Sequence, residues 1–150
     1  MTAPHPTTTR LATLTAHVDQ LTRPIHVAIQ GRVITHPALL DQLRAACVPG
    51  RSTTYSGGRQ PPGSRPPLRV DAVDTLAEIN VGISAWHARL ALPSPPRNAD
   101  WQKATLRAFV GAAPSLAPAL VDYLTDEVID WWRAAAVASG WQPAQLRKLQ

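Results

Sequence analysis

The sequence predicts a mainly α-helical fold: a small bundle of four to five helices with a long C-terminal helix, interrupted by a long flexible Arg/Pro/Gly loop. Three observations carry this. Apolar residues recur at three- and four-residue steps in several separate windows, the signature of one buried helical face. Proline and glycine fall between those windows, where they end helices or open turns. The chain has 150 residues, enough for one domain with a real core.

The longest pattern is Ser115 to Gly140. Ser115 suits an N-cap, Pro118 suits a first turn that needs no N–H, and Gly140 suits the left-handed position past a helix end. Leu116, Leu120, Leu124, Val128, Trp131 and Ala135 form one face, widened by Tyr123 and Trp132. A helix of about 24 residues spans roughly 36 Å, the width of a small domain. Adjacent residues on a helix point about 100° apart. Trp131 is therefore expected in the core, and Trp132 is open between core and interface. Trp132 and Trp141 are the candidate interface residues.

Asp122, Asp126 and Asp130 make a stripe on the same helix, with Arg133 able to pair with Asp130. Such a stripe can ligate a metal, meet a basic partner or face solvent. No Glu-x-x-His accompanies it, so a solvated face is expected and no metal.

In chain order, residues 1–7 are expected to be disordered and residues 8–141 to form the domain. Thr8 or Thr9 caps a first helix to about Leu21, with Leu11, Leu14, Val18 and Leu21 on one face, and Arg23-Pro24 ends it. Between Ile25 and Ile34, the alternation of Ile25, Val27 and Ile29 before Gly31 suits a short hairpin or a bent extended connection. Thr35, His36 and Pro37 then open a second helix to about Cys47, with Leu39, Leu40 and Leu43 inward.

A third helix begins at Asp71, with Val73, Leu76, Ile79 (or Asn80), Ile83, Trp86 and Leu90 on its apolar face. Its acids come early and Arg89 late, as the helix dipole favours. Gly82 costs about 1 kcal/mol in mid-helix unless another segment packs close. Asn98 caps a fourth helix with Trp101, Thr105 (or Ala104), Ala108, Phe109 and Ala112 facing in, and Gly111 to Pro114 turns into the last helix. Residues 142–150 form a tail with the basic pair Arg147-Lys148.

Charge is the clearest functional signal. Residues 1–69 hold eight arginines against Asp19 and Asp41, a balance of +6; residues 70–150 hold seven cations against eight acids. The stretch 48–69, VPGRSTTYSGGRQPPGSRPPLR, has five prolines, four glycines, four arginines and no acid. It lacks the apolar surface to offset ordering and is expected to be a flexible linker or loop. Arg51, Arg59, Arg65 and Arg69, with Tyr55 as a stacking ring, suit contact with a phosphate backbone, DNA being the partner expected. Base readout is not expected. The fourth helix, its turn and the last helix superficially suggest a helix-turn-helix, but the second member opens SLAPALVDYL and turns acidic, which phosphate repels.

Enzymatic signatures are missing. No metalloprotease, nucleophile-elbow, phosphate-loop or dinucleotide motif occurs, and no cofactor is expected. His5, His17, His26, His36 and His87 have no ligand spacing. His87 as a base, or Cys47 as a nucleophile with His36, lacks a supporting signature. Cys47, the lone cysteine, permits no internal disulfide and no thiolate zinc site. With neither an apolar leader nor a spanning stretch, no membrane association is expected.

The order LLDQLRAACVPGRS, GGRQPPGSRPPL, VDAVDTLAEI and then a Trp-bearing helix resembles a family of uncharacterised proteins from actinobacterial phages and prophages, over residues 37–141 through Trp101 and Trp131-Trp132. The Arg-, Ala- and Pro-rich composition fits a GC-rich genome of that kind. A cysteine-paired tail present in some members has no counterpart in WQPAQLRKLQ. The resemblance implies a source and no activity. The reading is a non-enzymatic phage-type protein of the host cytoplasm or the virion. It binds nucleic acid through the basic loop, or assembles with itself or other virion proteins, for example as a head–tail connector subunit.

Overall fold

The computed structural model describes residues 5–48, 68–142 and 145–146, and of residues 68–70 the backbone alone. Among them five helices and one hairpin follow in order: α1 Pro6–Thr22, β1 Ile25–Ile29, β2 Arg32–His36, α2 Leu39–Ala46, α3 Leu68–Arg89, α4 Trp101–Ala112 and α5 Pro118–Ala138. The fold is mainly helical, with a long last helix, as the periodicity indicates. Helix α5 packs on α1, α2 and α3, and α4 packs on α1 and α3.

Helix boundaries follow proline and local caps. Helix α1 starts at Pro6, ahead of the threonines expected to cap it, because the His5 ring accepts from the Thr7 N–H at 3.3 Å and proline needs no donor at the first position. A 3₁₀ turn, Ala113–Ser115, takes up Ser115, so it does not cap α5. Pro118 forces the preceding Ala117 into extended backbone and the helix starts one residue later. At 21 residues α5 spans about 31 Å. Gly140, at φ +96°, closes it: the Gly140 N–H donates to the Val137 carbonyl and the Trp141 N–H to that of Ala136, both at 3.0 Å.

Extended backbone at Ile25–Ile34 is a true hairpin. Gln30 and Gly31 both take positive φ, the two-residue turn whose twist matches the strands. Val27 stands opposite Ile34, and Ile25 opposite His36. Thr35 and His36 finish β2 and do not open α2, whose N-cap is Ala38.

The core gathers Leu14, Val18 and Leu21 from α1, and Leu39, Leu40 and Leu43 from α2. It adds Ile79, Ile83 and Trp86 from α3, Leu106 and Phe109 from α4, and Leu124, Val128 and Trp132 from α5. Several expected positions change. Ala72 replaces Val73 on the inner face of α3, because the stripe that includes Ile79, Ile83 and Trp86 runs through residue 72; Val73 is half exposed. Helix α4 starts one residue after Asp100, whose carboxylate accepts from the Lys103 N–H at 3.1 Å, so Asn98 is not its cap. Leu106 joins Phe109 inside, whereas Trp101 is exposed and its ring lies 5.6 Å from that of His87. Tyr123 is likewise exposed, against Trp86.

Of the adjacent tryptophans, the one left open in the sequence is the one fully enclosed. Trp132 is 1 % exposed, and its indole N–H donates to Gln20 Oε1 at 2.5 Å. It offers no surface to a partner in this fold, which corrects its reading as an interface residue. Trp131 is partly buried, its indole lying on the backbone of α3 at Gly82. The close neighbour that justifies a mid-helix glycine is thus a ring, and Trp131 sits at the edge of the core.

Candidate nucleic-acid interface

Most of the positive charge in the described body is already partnered. Arg10 on α1 reaches across to α5, pairing with Asp122 at 3.1 Å and with Asp126, and donating to the Asp122 carbonyl at 3.1 Å. The aspartate stripe therefore does meet a basic partner, from the same chain. Asp130 stands 3.9 Å from Arg133. Among the described residues, no three His, Cys, Asp or Glu side chains gather as a metal site requires.

A second network joins α2 to the start of α4. The Arg44 guanidinium binds Asp100 at 2.5 and 3.0 Å and also contacts Gln102, while Lys103 pairs with Asp41 at 2.6 Å. Hydrogen bonding from Arg44, aided by the Lys103 N–H, lowers the Asp100 carboxyl to about 2. The same pairing raises the Arg44 pKa. Arg107 donates to the Thr22 carbonyl at 3.0 Å, and Arg89 lies over the rings of Trp86 and Tyr123. Among the described residues, Arg32 at the hairpin tip and Arg97 make no ion pair.

The balance follows directly. Described side chains carry nine Lys or Arg against ten Asp or Glu. The chain's net charge of +5 therefore comes from Arg51, Arg59, Arg65, Arg69, Arg147 and Lys148. Of the expected contact residues, Arg51, Tyr55, Arg59 and Arg65 lie outside the described residues, as does the side chain of Arg69, whose backbone is in the first turn of α3. The stretch is tethered at both ends, by the end of α2 and the start of α3, two helices that touch each other.

The remaining candidates are spread over different elements. His36 ends β2, with its ring 5.1 Å from that of Trp141. His87, on α3, has Nε2 3.4 Å from the Pro93 carbonyl oxygen. Cys47 follows α2, and burial raises its thiol pKa, the opposite of an activated nucleophile. Trp141 is partly buried, its indole N–H donating to Gln42 Oε1 at 2.9 Å. Helix α5 packs on three other helices and exposes Asp122, Asp126 and Asp130 on its free face.

One surface escaped sequence reasoning. Ile29, Val33 and Ile34 on the hairpin are 46, 69 and 43 % exposed. The available signal was the adjacent pair Val33 and Ile34, which alternation places on opposite faces of one strand. No described helix is long and apolar enough to cross a membrane.

A family model described as a domain of unknown function (DUF7341) matches residues 7–150. The chain belongs to that family. Comparison with curated proteins and with solved structures gives no match.

Proposed function

We propose that this family member is a small non-enzymatic protein of phage or prophage source that binds nucleic acid with little sequence readout. The contacts are Arg51, Arg59, Arg65 and Arg69, with Tyr55 stacking on a base. The observation that supports this is the partition of charge. The folded body neutralises itself through pairs such as Arg10 with Asp122 and Arg44 with Asp100, and the excess lies outside it, four arginines in one acid-free stretch and two cations, Arg147 and Lys148, near the C-terminus. Guanidinium groups in such a stretch displace counterions from phosphates, and that gain is indifferent to sequence. The test replaces all four arginines by glutamine and measures binding to generic DNA. Binding is expected to be lost; full retention overturns the reading.

A second reading, a virion assembly protein such as a head–tail connector subunit, is favoured by the hairpin. Among the described residues each strand of the two-stranded sheet has an unpaired edge, and Val33 and Ile34 are exposed on β2. Under that reading the native mass is a multiple of 16.2 kDa and the protein is found in purified particles. A monomer absent from particles contradicts it.

A further inference from the structure

One face of the hairpin does not close onto the body. Val27, Ile29 and Ile34 form one wall of an open groove of about 380 Å³, and Trp141, Ser139 and Gln145 line it beyond the end of α5. That volume lies in the range of clefts that take a small planar group. Trp141 is held by its bond to Gln42 and by the edge of His36, so the indole is positioned before anything binds. The Ser139 hydroxyl is buried and has no hydrogen-bond partner among the described residues. Gln145 adds an amide whose oxygen accepts from the Gln142 N–H at 2.9 Å.

The charge around the groove has one sign. No carboxylate lines it. The nearest acid in sequence, Asp41 beside Gln42, is engaged by Lys103 and Arg44. Arg32 pairs with Ile29 in the hairpin register, on the same sheet face as Val27 and Ile34, and makes no ion pair among the described residues. The last carbonyls of α5 are partly answered by the Gly140 and Trp141 N–H groups, which blunts the negative helix end.

We propose that this groove receives an unpaired base of single-stranded nucleic acid. The base lies against Trp141 and the aliphatic wall of Ile29 and Ile34, its polar edge faces the Gln145 amide, and its phosphate meets Arg32. The inference rests on the nucleic-acid reading above and narrows it: a base must leave its duplex to reach a ring, so single strands bind better than duplexes. Stacking on an aromatic wall tolerates every base, in keeping with little sequence readout.

The test compares Ile34→Glu with Val33→Glu. The two residues are exposed neighbours on opposite faces of β2, so both variants add the same charge but only the first puts it in the groove. Binding of a fluorescent oligo-dT and of a duplex is measured at one salt concentration, with native mass alongside. Ultraviolet cross-linking of oligo-dT to the unaltered protein maps the contact. Ile34→Glu is expected to weaken oligo-dT about tenfold or more relative to Val33→Glu, the scale of one lost stacking contact, and the cross-link to fall on the peptide with Trp141 or His36. Equal affinities for the two variants, or cross-links elsewhere while the unaltered protein still binds, overturn the groove and leave the arginine reading standing. If Ile34→Glu changes only native mass, the face joins copies of the chain and the groove proposal fails. If the unaltered protein binds no nucleic acid, both readings fall together.

Discussion

The indole of Trp131 rests on Gly82 so closely that a Cβ added there would come 2.5 Å from Cζ2 and 2.9 Å from Cε2. A rigid ring cannot give way as the end of a flexible chain can. Gly82 is therefore required in the middle of α3 despite its low helix propensity.

That requirement gives a prediction of sign. Gly82→Ala gains helix propensity but overpacks the contact, and a net loss of about 1–3 kcal/mol is expected. Gly111→Ala, in α4, meets nothing within 4 Å and is expected to stabilise by roughly 0.4–1 kcal/mol. Urea midpoints of the two variants should move in opposite directions. A shared direction contradicts the packing described.

Trp132 is a core residue whose loss acts on folding. Trp132→Ala is expected to cost about 3–5 kcal/mol, the range for a deleted buried aromatic. Thermal unfolding measures it. An unchanged melting temperature would return Trp132 to the surface.

Asp100 links stability to pH. Its carboxyl is lowered from 3.8 to about 2 by Arg44 and the Lys103 N–H. The folded state therefore binds fewer protons than the unfolded chain in that interval. The contribution is complete above pH 3.8 and is lost as pH falls through about 2. Asp100→Asn keeps a good N-cap and removes the charge. Stability measured against pH should show a larger acid loss for the unaltered protein than for the variant, the difference arising below pH 3.8. Parallel curves would show that Arg44 does not hold the carboxylate.

Gly31 tests the hairpin. At φ +76° a side chain is strained although nothing lies within 4 Å. Gly31→Val is expected to cost about 1–2 kcal/mol, and β1 and β2 amides should exchange faster than those of α5. Protection equal to that of the unaltered protein would remove the positive-φ turn.

What was legible in the sequence was whatever one helix decides alone. Leu14, Val18 and Leu21, or Leu39, Leu40 and Leu43, are inward because spacing within their own helix puts them on one face. Choices between neighbours were not legible. Trp131 and Trp132 differ by 100° around α5, and only the positions of α1 and α3 decide which is enclosed. Caps failed for a similar reason: Ser115 and Asn98 are sound candidates, but Pro118 and Asp100, two or three residues on, govern the start. The pairing of Arg10 with Asp122 spans 112 positions and leaves no local trace. For the candidate site, composition alone marked the arginine stretch, since its charge stands out without any fold. The groove beside Trp141 needed the hairpin register and the end of α5 together.

The most direct test of nucleic-acid binding is the slope of log affinity against log salt for an oligo-dT, in the unaltered protein and in the variant with Arg51, Arg59, Arg65 and Arg69 replaced by glutamine. Four phosphate contacts on a single strand give a slope of about −3. The account predicts that slope or a steeper one for the unaltered protein, and a slope shallower by about 3 with most affinity lost in the variant. Equal slopes and affinities in the two proteins would contradict it.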